Sequence, residues 1–169
     1  VGAAKHHQQR DDIVYVINGG GVRAKELAHA ARSLKNLVFV DYQPMDRLPE
    51  VLATGDIHLV LLRSGLGASS VPSKAYGILA AGRPIIASID PDSAIVGMVT
   101  ECGAGLAIPP DSLDALVSAV EHLVENREAR AQMGVRARRW ALRSPRGLVR
   151  SWIKFHSVQS RSDWWPAQQ

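Results

Sequence analysis

At 169 residues the chain suits one domain with a real core, or one domain plus a tail. Apolar residues make up 46% and charged residues 21%, an ordinary globular composition, and no apolar run is long enough to cross a bilayer. Cys102 is the sole cysteine, which excludes an internal disulfide, and the formal charge of +4 is unevenly spread.

In chain order, Val1 to Gln9 reads as the end of a helix, without the layout of a signal peptide. Asp12 to Ile17 is a strand, followed by a glycine cluster and a helical run from Val22 to Leu34. Leu37 to Val40 is the next strand, then a Pro-containing turn and a helix from Arg47 to Ala53. Ile57 to Leu62 leads through a Gly/Ser loop to a helix over Ser73 to Ala81. Pro84 to Ser88 precedes a helix over Ser93 to Glu101, and Leu106 to Ile108 precedes one over Ser112 to Val124. The strands are rich in Val and Ile and mostly apolar on both faces, as parallel strands are when helices cover both sides. Five strand-helix units in series predict an open, doubly wound α/β fold: a parallel sheet with helices on both faces. Gly82-Arg83-Pro84 stops one helix, and Pro109-Pro110-Asp111-Ser112 ends a strand and caps the next helix. Arg127 to Val158 reads as one or two further helices interrupted near Pro145, and the polar end from Ser160 takes no assignment. The expected organisation is an α/β domain over 1–144 and a basic helix and tail over 145–169.

Ten of the twenty Lys and Arg residues fall between Arg127 and Arg161, where Glu128 is the one acid. Such a segment suits a solvated helix face, or contact with nucleic acid, acidic lipids or an acidic protein surface.

Ligands of doubly wound sheets bind at the carboxyl ends of the strands, so the loops there carry the candidates. Gly19, Gly20 and Gly21 open the first strand-linked helix, with Arg23 in its first turn. Glycines admit a ligand to the backbone, and N–H groups at a helix start attract phosphate; a tight turn with no ligand is the competing reading. Gly19, Gly21 and Ala24 also fit a loose dinucleotide-binding pattern, with Asp41 ending the next strand where a ribose-binding acid would stand. Ser69, Ser70 and Ser73 form a hydroxyl-rich loop that runs into a helix starting at Lys74. A lysine there opposes the helix dipole unless an anion is near, so the stretch reads as a diphosphate cradle without a metal. The competing reading makes a serine an ordinary N-cap and points Lys74 to water. The six histidines include no pair at a metal-site spacing with a third ligand. His58 reads as a hydrogen-bonded core histidine, Cys102 as an inert thiol, and Trp140 and Trp152 as packing residues. Nothing interleaves aromatic and basic residues as nucleic-acid binding requires.

Pro72-Ser73-Lys74, Tyr76 and Ala80-Ala81-Gly82-Arg83-Pro84-Ile85-Ile86-Ala87 together resemble the signature of family-4 retaining glycosyltransferases. The neighbouring motifs follow in the family's order. Val38 to Pro44 with Leu48 to Leu52 is similar to its base-binding loop and next helix, Ala53 to Leu62 to its following strand, and Gly103 to Pro110 to its last strand and turn. The resemblance spans roughly Asp11 to Leu142. It implies the C-terminal, donor-binding lobe of a two-lobed GT-B hexosyltransferase, Rossmann-like and without its first strand. The missing strand would leave unpaired edges in the sheet.

By the same resemblance the donor is a nucleotide sugar, UDP-linked, passed with retention of configuration to a polysaccharide or lipid-linked acceptor. Gln43 would lie against the base, Ser69, Ser70, Ser73 and Lys74 on the diphosphate, and Gly19 to Gly21 with Arg23 around the cleft. Gly77 and Ser69 stand where the family has two glutamates, one of which binds the ribose. No cofactor and no obligatory metal are implied, and no catalytic residue is assigned within the chain. The partners implied are the UDP-sugar and an N-terminal acceptor lobe that the chain lacks, with an anionic membrane surface beside the basic segment and no nucleic acid. The place would be the cytoplasm, peripheral at the inner membrane face. The last helices should dock outside this domain's core, on the acceptor lobe, and the chain alone should be inactive. A sugar-nucleotide epimerase of GT-B type, an NAD-binding Rossmann domain and a non-catalytic binding module are the alternative functions.

Overall fold

A computed structural model describes residues 1–67 and 73–143. The chain divides into two compact units, Val1–Arg47 and Leu48–Gln169.

The first unit holds α1 (Gly2–His6), β1 (Tyr15–Asn18), α2 (Ala24–Ala30), β2 (Leu37–Val40) and a 3-10 turn at Met45–Arg47. β1 and β2 are parallel, with Tyr15 opposite Leu37 and Asn18 opposite Val40. Ala4, Ala31, Leu34 and Leu37 form a small core, with Tyr15, Ile17 and Phe39 packed on it. Asn36 donates to the Ala4 carbonyl at 2.9 Å, and His7 Nδ1 lies 2.9 Å from the Tyr15 hydroxyl. These bonds tie α1 to the two strands.

The second unit holds α3 (Leu48–Thr54), β3 (His58–Leu61), α4 (Lys74–Ala80), β4 (Ile85–Ser88), α5 (Ala94–Cys102), β5 (Gly105–Ile108), α6 (Leu113–Glu125) and α7 (Arg127–Arg143). Its three strands are parallel in the order β3-β4-β5. β4 is central, and Ile85, Ile86 and Ala87 are fully buried. Successive side chains point to opposite faces, so a strand buried at every residue must be covered on both sides. Ile85 and Ala87 join Leu79, Ile95, Val99 and Ala137 in the main core. On α6, Val117, Ala119, Val120 and Leu123 are buried, and this helix contacts β4 and β5.

The helix stop at Gly82 and the cap at Ser112 read from sequence are present, and Gly103 and Ser93 add a second pair at the ends of α5. Gly82 takes φ +67° after α4, and Gly103 takes φ +60° at the end of α5; both are conformations that cost a side-chain residue strain. The Ser93 hydroxyl accepts from Ile95 N, and the Ser112 hydroxyl accepts from Ala115 N, each at 3.3 Å.

One expectation fails. The described part of the basic segment, Arg127–Arg143, was expected to dock outside the core, yet it packs on α4, α5 and α6 within its own unit. Ala137 and Ala141 are fully buried, and Trp140 stacks on Tyr76 with ring centroids 6.4 Å apart. Small residues permit this approach: a Cβ on Gly134 would stand 2.4 Å from the Gly82 carbonyl oxygen. Leu148, Val149 and Trp152, expected on the same segment, lie outside the described residues.

Among the described residues the strands form two parallel sheets, β1-β2 in the first unit and β3-β4-β5 in the second. No helix among the described residues is long and apolar enough to cross a membrane.

Candidate functional site

The candidate residues follow the strands, as the fold class requires, and fall in both units. In the first unit, Gly19 to Gly21 leave the carboxyl end of β1, and Asp41 to Pro44 leave that of β2. The two loops are fastened together. Gly19 N donates to Val40 O at 2.8 Å, and Asn18 Nδ2 donates to Asp41 O at 3.1 Å. Gln43 Nε2 donates to the same carbonyl at 3.1 Å. Tyr42 lies over the glycines; a Cβ on Gly19, whose φ is +108°, would stand 2.9 Å from its ring. Gly19 is therefore required by both conformation and contact. Tyr42 is 76% exposed, an aromatic surface at a ligand-binding edge that sequence reading passed over.

Arg23 spends its guanidinium locally. Its Nε and Nη2 donate to the two carboxylate oxygens of Glu26 at 2.9 and 2.8 Å. The pairing raises the Arg23 pKa and lowers that of Glu26, first through the hydrogen bonds and then through charge. A donor anion would have to draw Arg23 from this fork.

In the second unit, α4 starts from the loop that follows β3. Ser69 and Ser70 lie outside the described residues. Ser73 holds the N-cap position; it is exposed, has helical backbone angles and makes no side-chain capping bond. Lys74 begins the helix and has no carboxylate partner among the described residues. It keeps contact with solvent, but the protein around its ammonium strips part of its hydration and lowers its pKa. Gly77 is buried within α4.

The loop before this cradle is clamped by two carboxylates that sequence reading also missed. Asp90, after β4, accepts from Gly65 N and Gly67 N, both at 2.9 Å. Asp111, after β5, accepts from Ser64 N at 2.9 Å and itself adopts φ +55°. Both acids stand beyond strand carboxyl ends, on the loops after β4 and β5. A shallow pocket of about 260 Å³ opens beside them, lined by Leu61, Arg63, Ser88 and Ser112 among others.

The remaining side chains behave as structural groups. His58 Nε2 lies 2.8 Å from Leu52 O, and burial lowers its pKa. The Cys102 thiol is half-buried, contacts Val99 O at 3.8 Å, and has its pKa raised by desolvation.

Comparison with known proteins gives concordant matches. A family model described as "Glycosyl transferases group 1" matches residues 1–140. WcaI of Escherichia coli (strain K12), named as a colanic acid biosynthesis glycosyl transferase, is 34% identical over 116 residues, covering 66% of this chain and 28% of WcaI. WbjE of Pseudomonas aeruginosa, named as a glycosyltransferase, is 36% identical over 74 residues, covering 44% of this chain and 18% of WbjE. The chain thus spans less than a third of the curated relatives it matches. Among solved structures, Anabaena Alr3699/HepE in complex with UDP-glucose superposes with a TM-score of 0.68 at 16% identity, covering 90% of this chain and 42% of that one. Sucrose-phosphate synthase from Thermosynechococcus elongatus gives 0.65 at 16% identity, covering 89% and 39%. At such identities the superpositions establish the fold.

Proposed function

Because the chain belongs to the group 1 glycosyl transferases, we propose that it is the donor-binding half of an enzyme that moves a sugar from a UDP-linked donor to a polysaccharide or lipid-linked acceptor, with retention of configuration. The observation that carries this reading is Lys74, an ammonium without a carboxylate partner among the described residues, at the start of α4 and beyond the carboxyl end of β3. Lys74 stays in contact with solvent while the protein takes away part of its hydration, so an anion at the helix start can reach it. Placed on the donor diphosphate, it would offset the charge that develops as the glycosidic bond breaks. Gly19 to Gly21 and Gln43, already fastened into one edge, would frame the nucleoside, with the exposed Tyr42 ring beside them. The UDP-glucose and UDP held by the HepE structures support a uridine donor. The acceptor would come from a second lobe, and positioning of its hydroxyl would supply much of the rate. No metal is needed in this scheme, since Lys74 takes the cation's place.

Calorimetric titration with UDP tests the reading. Lys74→Ala should weaken binding about tenfold or more, the worth of a hydrogen bond to a charged group. UDP binding that ignores this substitution places the diphosphate elsewhere. NAD binding that vanishes in Asp41→Ala would favour the dinucleotide alternative.

A further inference from the structure

One cavity among the described residues of the second unit lies away from the donor edge. It is a trough of about 940 Å³ along α7. Asp56 and Gly82-Arg83-Pro84, which lead into the amino ends of β3 and β4, form its other wall. Arg83, Arg127, Arg130, Arg138, Arg139 and Arg143 line it, against Asp56 as the acid.

Three of these arginines have structural work. Arg83 donates to Ala53 O at 2.5 Å, Arg130 to Leu123 O at 2.9 Å, and Arg138 to Ala80 O. Those carbonyls belong to the last turns of α3, α6 and α4, so each guanidinium closes a helix C-terminus. A helix C-terminus carries about half a negative charge, so three of them and Asp56 still leave an excess of about three positive charges. Arg127, Arg139 and Arg143 supply it; all are exposed and lack a partner among the described residues.

The excess is spread out. α7 has 17 residues, so Arg127 and Arg143 stand about 24 Å apart along its axis. One phosphate cannot span that length, but a surface of repeating anions can. Between the charges, Val135 and Leu142 are about half exposed in the same trough. Exposed aliphatic groups among arginines suit the boundary between headgroups and acyl chains, and serve nothing on a nucleic acid. The nearby aromatics, Tyr76 and Trp140, are half-buried against each other and offer bases no platform.

We propose that the arginine trough along α7 is a docking surface for an anionic phospholipid bilayer. The protein would rest there peripherally, leaving the loops at the opposite strand ends open to the water from which a soluble donor arrives. This stands on the charge pattern alone and does not depend on the donor reading.

The test is co-sedimentation of the full chain with vesicles of phosphatidylglycerol and phosphatidylcholine, and with phosphatidylcholine alone. Binding should require phosphatidylglycerol and weaken steeply with salt. Each arginine near an anionic surface is worth about fivefold, so Arg127→Glu/Arg139→Glu/Arg143→Glu should lower partitioning at least about a hundredfold. Thermal unfolding verifies that this variant is folded; should it not be, Arg139→Gln alone should give the fivefold loss. Lys25→Glu/Lys35→Glu, exposed in the first unit and not part of the trough's lining, should retain most of the binding. Absence of binding, equal binding to phosphatidylcholine, or full binding by the arginine variants would overturn the proposal. So would tighter binding to a DNA duplex or a heparin fragment than to the vesicles, which would make the trough a site for a soluble polyanion.

Discussion

Two glycines of the same supersecondary unit should respond oppositely to alanine. Gly105 begins β5 opposite Ile85, and a Cβ there would stand 1.8 Å from the Ile85 carbonyl oxygen. The obstacle is main chain of the central strand, so no side chain can turn aside; β5 must move outward by more than 1 Å or lose its ladder. Overpacking against a fixed neighbour costs about 1–3 kcal/mol, and a backbone obstacle places Gly105→Ala near the upper limit. For a chain of this size that lowers Tm by about 6–12 °C. Gly97, in the middle of α5, has nothing within 4 Å of the corresponding position and is exposed. There alanine meets no obstacle and restricts the unfolded chain, a gain of up to about 1 kcal/mol, or a Tm higher by about 2–4 °C. Thermal unfolding of both variants, followed by far-ultraviolet circular dichroism, reads the two signs directly. A Gly105→Ala protein as stable as its parent would refute the close approach of β5 to β4. A destabilised Gly97→Ala protein would refute the reasoning about open space.

Asp90→Ala should free the amides of Gly65 and Gly67, costing about 1–3 kcal/mol if they find no other acceptor; hydrogen exchange at those two amides should quicken while exchange in β4 stays slow. His58 should make stability pH-dependent. Burial lowers its folded pKa below the ordinary 6.5, so the unfolded chain binds the extra proton; stability is full above pH 6.5 and falls as pH drops below it. Comparing Tm at pH 7.5 and 5.5 should show a loss that shrinks in His58→Gln.

The element order was legible because each strand is a short run of Val and Ile flanked by turn residues. β4 illustrates the case: Ile85 to Ala87 reads as buried on both faces and is. Gly82 and Ser112 marked helix ends, one by admitting φ +67° and the other by its capping hydroxyl. The docking of α7 was not legible. Its stripe of Gly134, Ala137 and Ala141 is too small to give a strong apolar period, and six arginines mask it, although small residues are what allow the close approach. Asp90 and Asp111 escaped notice for another reason. Their partners are backbone amides 23 or more residues away, and backbone donors leave no trace in side-chain identity. Arg23 was read toward a ligand, and the i,i+3 acid that holds it lay in the same sequence.

The seat of α7 on the turn after α4 is main chain against main chain, Gly134 on Gly82. Helix position there is set by two residues that have no side chains, so the outward residues of α7 carry little responsibility for where the helix lies. Its outer face can therefore drift in charge and polarity without relocating the scaffold beneath it. Across proteins sharing this fold, Gly82 and Gly134 should change rarely and in concert, while Arg127, Val135, Arg139 and Leu142 form a surface that selection can rewrite for each protein's own surroundings. A rigid joint made of glycine thus gives the neighbouring surface its freedom to specialise.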